Sequence, residues 1–275
     1  MFTTDPNSLQ AQLDAIHRYS RKWGLKINVA KTKICIFEKR KTLNRFVWSI
    51  NTDAVEIVGS FCYLGIKFNY NGSFVNAVKT LKDQALKAYN HLVSIFGRVK
   101  LDVKTKLLLF DSMIAPILMY GCEVWGIYDM KEVDKLHLRF CKHILGVRSQ
   151  TSNAAVLGEL GRFPLSLLCK IRALKFWCKI KSSPTSLINN IYCEQVNDVS
   201  FVNCNAKDNW SKSVKNVLDS LGFSYVWFSD HIDQSCVVAL RQRLYDQYVQ
   251  HWTDTIHSQP KLDYYKQFKL NFEFD

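Results

Sequence analysis

The stretch Phe61-Cys62-Tyr63-Leu64-Gly65-Ile66-Lys67-Phe68-Asn69-Tyr70-Asn71-Gly72 separates two kinds of chain. Before it, apolar residues come in short runs bounded by turn formers, the pattern of strands. Phe61–Phe68 reads as one more strand, closed by the turn signal Asn71-Gly72. After it the spacing becomes helical: between residues 74 and 96, Val78, Leu81, Ala85, Ala88, Leu92 and Phe96 recur at the α-helical interval, with Lys79, Lys82 and Lys87 among them. The spacing therefore predicts an α+β chain, with a small antiparallel sheet and one helix at the N-terminus followed by a mainly α-helical remainder.

Toward the N-terminus, Asp5-Pro6-Asn7-Ser8 offers an N-cap and a proline at the first helical position. Leu9, Leu13, Ile16 and Trp23 keep the helical period, and Gly24 stops a helix over 8–23. A basic turn, Leu25–Lys33, leads into an apolar strand Ile34–Phe37, and Asn28 is placed to cap that turn through its side chain. Residues Arg45–Ile50 and Ala54–Val58 predict a hairpin around Asn51-Thr52-Asp53. Toward the C-terminus, Asp102 caps a helix carrying Leu107, Phe110, Met113 and Ile114 that bends or ends near Pro116. Helices follow over 130–145 and 165–181 with the loop Gly158–Pro164 between them. Ser182–Thr185 is a break, and 208–220 and 230–256 are helical. This divides the chain into 1–70, 71–182 and 183–275.

At 275 residues, 48% hydrophobic and 22% charged, the chain can bury a core and is not disordered. No stretch reaches the roughly 20 apolar residues of a membrane span, and Met1–Pro6 lacks the basic and apolar parts of a secretory signal. Nine scattered cysteines without a Cys-x-x-Cys pair point to a reducing, intracellular setting, with Cys35 acting as a small core hydrophobe. His137, Cys141 and His143 come nearest to a metal site but lack a compact partner pair, so no metal ligand set is assigned. The aromatics Trp125, Phe140, Phe163, Phe176 and Trp177 sit beside apolar neighbours and read as core.

Charge is the first functional clue. There are 37 Lys and Arg against 24 Asp and Glu, a net charge of +13. Residues 1–100 carry 16 basic against 6 acidic side chains, and 101–180 carry 12 against 7, whereas 181–275 carry 9 against 11. A basic surface confined to the first two-thirds suits a polyanion. Phosphate-binding loops, nucleophile elbows and zinc-protease motifs are missing from the sequence. So is any Asp-Asp dipeptide, the close carboxylate pair that two-metal phosphoryl transfer uses.

The order of segments resembles the reverse transcriptases of non-LTR retrotransposons. Trp23-Gly24-Leu25-Lys26-Ile27-Asn28-Val29-Ala30-Lys31-Thr32-Lys33 is similar to their palm motif D, and Phe61-Cys62-Tyr63-Leu64-Gly65-Ile66 to the primer-grip hairpin, motif E. Pro116–Trp125, Phe140-Cys141-Lys142, Gly158–Pro164 and Lys261–Tyr265 resemble the thumb and its helical extension. The resemblance implies a palm remnant over 1–70, a thumb-like region over 71–182 and a helical extension over 183–275. It also implies a truncated RNA-directed DNA polymerase, beginning just past the turn that carries the catalytic Asp pair and inactive alone. On that reading Lys31 or Lys33 contacts the nucleotide's leaving group. Asn28, Tyr63, Leu64 and Gly65 and the lysines and arginine Lys79, Lys82, Lys87, Arg98 and Lys100 face an RNA–DNA or DNA primer-template, without sequence preference. Mg²⁺ is implied only for the full-length polymerase; this chain is expected to hold no cofactor and to contact no membrane. The alternatives are a non-catalytic basic nucleic-acid-binding protein and a helical interaction protein.

Overall fold

In a computed structural model the structure describes residues 1–38, 46–128, 131–197, 209–229 and 232–274. The basic run Lys39-Arg40-Lys41, Arg45, Cys204 and residues 130, 208 and 230, where three helices were expected to begin, lie outside the described residues. The chain divides into two compact units, Met1–Ala77 and Val78–Asp275.

The first unit opens with α1 (Pro6–Lys22). The Asp5 carboxylate accepts from the Ser8 N–H at 2.7 Å, Pro6 occupies the first turn, and Gly24 at φ +63° turns the chain away. The core is small: Leu13, Ile34, Trp48, Ile50 and Val55, with Leu9, Ile27, Val29 and Ile36 against them. Three hydrogen bonds fasten α1 to the following chain. The Gln10 amide exchanges two with the backbone of Ser49, and the Trp48 indole N–H donates to the Pro6 carbonyl at 3.0 Å. Because so little apolar chain packs on α1, its covered apolar stripe is limited to Leu9 and Leu13. Ile16 and Trp23, expected in that stripe, are exposed.

The strands do not form one antiparallel sheet. β1 (Lys33–Ile34) pairs in parallel with β4 (Glu56–Ile57); β2 (Ser49–Ile50) and β3 (Asp53–Ala54) form a short antiparallel pair; β5 (Ser60–Tyr63) and β6 (Ile66–Asn69) form another. The strand expected over Ile34–Phe37 is thus only Lys33–Ile34, and the expected hairpin is reduced to two residues a side around Asn51-Thr52. The single strand expected over Phe61–Phe68 is a hairpin. Leu64 and Gly65 both take positive φ, +48° and +82°, which folds the chain back in two residues. Leucine in that conformation is rare, so the alternation of the sequence hides the turn.

The second unit is helical. α2 (Val75–Phe96) crosses the boundary and buries Val78, Leu81, Ala85, Tyr89 and Leu92 on one stripe. There follow α3 (Val103–Met113), α4 (Ala115–Leu118), α5 (Cys122–Trp125), α6 (Glu132–Ile144), α7 (Asn153–Glu159), α8 (Leu165–Lys181), α9 (Leu187–Asn197), α10 (Trp210–Leu221), α11 (Ser224–Phe228), α12 (Gln234–Ser258) and α13 (Tyr265–Phe268). Asp102, Asn209 and Asp233 each cap their helix with a side-chain oxygen. The loop expected over Gly158–Pro164 is corrected in part, because α7 takes in Gly158 and Glu159; α9 and α11 were not foreseen. One large apolar cluster gathers around Trp177 of α8, whose indole N–H donates to the Tyr192 hydroxyl at 3.1 Å and whose ring stacks on Trp227. The eight described cysteines are all free. Among the described residues no helix is long and apolar enough to cross a membrane.

Candidate nucleic-acid interface

In the first unit the expected site residues fall in two places. Asn28 Oδ1 accepts from the Lys31 N–H at 3.1 Å, closing a single 3-10 turn over Val29–Lys31, and the Thr32 hydroxyl donates to the Asn28 carbonyl. Lys31 stands exposed on that capped turn. Lys33 lies opposite Glu56 across the β1–β4 pair and forms an ion pair with it, so its ammonium is already engaged.

The second place is the β5–β6 hairpin. Phe61 and Phe68 are cross-strand partners with stacked rings 5.4 Å apart, and Phe37 and Phe74 pack edge-on against them. These aromatics hold the base. Tyr63 continues the same face to the tip, where it is 61% exposed and Leu64 is 72% exposed. A left-handed Leu64 stores about 1 kcal/mol of backbone strain. Two apolar side chains and a glycine backbone are presented to the outside on a rigid support.

In the second unit, Lys79 and Lys87 point outward from α2, opposite its buried stripe, with Asp83 between them. Arg98 and Lys100 are exposed in the turn before Asp102. Lys82 departs from this set. It donates to Glu132 on α6 at 2.7 Å, and Glu132 also pairs with Lys135, which together hold the Glu132 carboxyl down at about 2. Lys82 is thus a helix-to-helix tie at the edge of the buried stripe.

The segments resembling thumb motifs are internal pieces. Gly121 takes φ +68° between α4 and α5, so that Trp125 turns inward and donates its indole N–H to the Tyr120 carbonyl at 3.0 Å. Phe140 stacks on Phe110 at 4.3 Å. Phe163 packs between Tyr245 and Phe272. Trp125, Phe140 and Trp177 are buried and Phe163 and Phe176 half-buried, as core residues should be. Gly158 leaves room for the Trp252 ring, which a Cβ would meet at 2.6 Å. Gly161, at φ +55°, lies against the backbone of Phe274, which bridges to Leu160. Tyr265 donates to the Ala155 carbonyl at 3.1 Å.

Arg162 makes a two-pronged ion pair with Asp111 at 2.6 and 2.5 Å, and its Nε donates to His137 Nε2 at 3.4 Å. His137 is fully buried against Phe110, and burial, then the nearby Arg162 charge, pushes its imidazole down to about 3. His137 and Cys141 are buried while His143 faces outward, and among the described residues no group of three metal-ligating side chains converges.

Three known proteins are similar in sequence to part of this chain. The chain is 28% identical over 134 residues to the RNA-directed DNA polymerase from the mobile element jockey of Drosophila melanogaster, covering 48% of this chain and 14% of that protein. It is 28% identical over 119 residues to the "Probable RNA-directed DNA polymerase from transposon X-element" of the same organism, covering 42% of this chain and 13% of the relative. A transposon-derived protein of Caenorhabditis elegans is 25% identical over 126 residues, 46% of this chain and 45% of its own length. These similarities support a reverse-transcriptase-derived region in the chain. The matches span under half the length of each of these relatives. No family model matches the chain, and no solved structure does.

Proposed function

We propose that this chain is the primer-template-holding portion of a retrotransposon reverse transcriptase, without a catalytic Asp pair of its own. Residues 1–70 are read as palm-derived, 71–182 as thumb-like and 183–275 as a helical extension. One observation carries the reading: a hairpin with a rigid aromatic base presents Tyr63, Leu64 and the positive-φ Gly65 at an exposed tip. A flat ring and a backbone without a side chain suit close approach to the end of a nucleic-acid strand. Lys31, on a capped turn, is the better candidate of the two motif D lysines for a leaving-group contact, since Lys33 pairs with Glu56. Lys79, Lys87, Arg98 and Lys100 supply sequence-independent phosphate contacts.

The test is binding of the whole chain to an RNA template carrying a DNA primer with a recessed 3′ end, against a blunt duplex of the same length. Tyr63→Ala is expected to weaken the recessed substrate severalfold and leave the blunt one unchanged. Equal losses on both would refute a role at the 3′ end. Failure of the unaltered chain to bind either at low salt would refute nucleic-acid handling altogether.

A further inference from the structure

Two cavities of the second unit share a wall made of Lys142, Ser149 and Asn153. One, of about 550 Å³, lies between residues 149–154 and the end of α12, with His251 and Lys261 among its lining. The other, of about 590 Å³, runs along α6 past Lys135, Arg139 and His143. Neither cavity has an Asp or Glu in its lining. Lys142 donates to the Ser149 carbonyl at 2.6 Å, which fixes its ammonium at the junction. Partial burial, and after it the charge of Lys261, lowers the Lys142 pKa. Like charges drawn together in this way favour an anion between them. The loop from Ser149 to Asn153 adds hydroxyl and amide donors suited to phosphate oxygens.

Two aromatic side chains of the furrow have partners within the fold. The Arg139 guanidinium lies over the Tyr89 ring at 5.3 Å, and the Trp252 indole N–H donates to the Ala154 carbonyl at 2.8 Å. The cations are spread along two contiguous cavities, as a repeating anion requires.

We propose that this furrow binds the sugar-phosphate backbone of a single nucleic-acid strand, with phosphates at Arg139, at Lys142 and at Lys261. The proposal rests on the reading of the chain as nucleic-acid handling and adds to it a second site, lined in part by Tyr89, Asn90 and Val93 of α2.

The full chain is titrated with a fluorescently labelled single-stranded RNA, following anisotropy at several salt concentrations. Lys261→Glu and Arg139→Gln are each expected to weaken binding by about tenfold or somewhat less, and to lower the salt slope by about one per lost phosphate contact. The double variant Lys175→Glu/Lys179→Glu, on exposed positions of α8, should bind as the unaltered chain does; an equal loss there would reduce the effect to net charge and overturn the furrow. Acetylation of the unaltered chain, read by mass spectrometry, gives a check that needs no variant: RNA is expected to protect Lys142 and Lys261 and not Lys175 or Lys179. Inorganic tripolyphosphate at equal phosphate concentration should leave the RNA bound. Full displacement would make this a site for a small polyphosphate and overturn the strand. If Lys79→Glu/Lys87→Glu abolishes binding while the furrow variants bind normally, the furrow falls and the wider reading stands. If the unaltered chain binds no RNA at low salt, both fall.

Discussion

His137 makes the chain's stability depend on pH in a window that belongs to histidine. Its imidazole is buried, neutral and held at about 3, against an ordinary value of 6.5. In the unfolded chain it takes up a proton below 6.5; in the folded chain it resists down to about 3. Its contribution is therefore fully present above 6.5 and is lost as pH falls toward 3. One pH unit of mismatch is worth about 1.4 kcal/mol, so lowering the pH from about 7 to about 5 costs about 2 kcal/mol through this side chain alone. The carboxylates held low by their partners, such as Glu132, Asp102 and Asp233, lose their contributions only below the ordinary carboxylate range. Urea unfolding of the whole chain, followed by tryptophan fluorescence across this interval, measures the loss. His137→Phe places a ring of similar shape against Phe110 and removes the titrating group, so the loss between neutral and mildly acidic pH should shrink by about 2 kcal/mol relative to the unaltered chain. A variant as pH-sensitive as the unaltered protein would refute the burial argument, whatever its stability at neutral pH.

Gly158→Ala is expected to destabilise by about 1–3 kcal/mol, because its methyl group meets the Trp252 ring; the urea midpoint reads this directly. Leu64→Asn should stabilise by about 0.5–1 kcal/mol, since asparagine tolerates the left-handed backbone that leucine resists; hydrogen exchange in the β5–β6 hairpin should slow. Asp111→Ala leaves the largely buried Arg162 without its carboxylate and should cost about 2 kcal/mol, between a surface pair and a buried one because Asp111 is 44% exposed. Primer extension by these 275 residues on an RNA template with Mg²⁺ should give only background; robust incorporation would overturn the proposed division of labour.

Much of the fold is legible locally. Asp5-Pro6 and Asp102 announce their helices because a cap is a short-range hydrogen bond, and α8 shows itself because its apolar residues, interleaved with lysine and arginine, run on without Gly or Pro. The Leu64-Gly65 turn is illegible to residue preference, since leucine is a poor turn former; there the family resemblance supplied the hairpin that alternation concealed. α7 is hidden because its seven residues are helical through packing on Trp252 and Tyr265, which lie about a hundred residues away. Lys82 shows the limit for sites: its spacing within α2 marks it as basic, but only the fold brings Glu132 to it. Lys135, Arg139 and Lys142 stand at four- and three-residue intervals and were readable as a basic stripe. That Lys261 joins them is a consequence of tertiary structure alone.

The bridge between Leu160 and Phe274, with Phe272 packed among Phe163, Tyr248 and Trp252, also orders events during synthesis. A ribosome delivers α6, α7 and α8 well before it delivers residues 272–274. Until those emerge, the ring of Phe163 and the backbone at Gly161 lack the covering they have in the native state. The nascent second unit is therefore left with a sticky seam while a long stretch of chain is still being translated. A ribosome stall or a frameshift that alters only those residues would strike a region translated more than a hundred codons earlier.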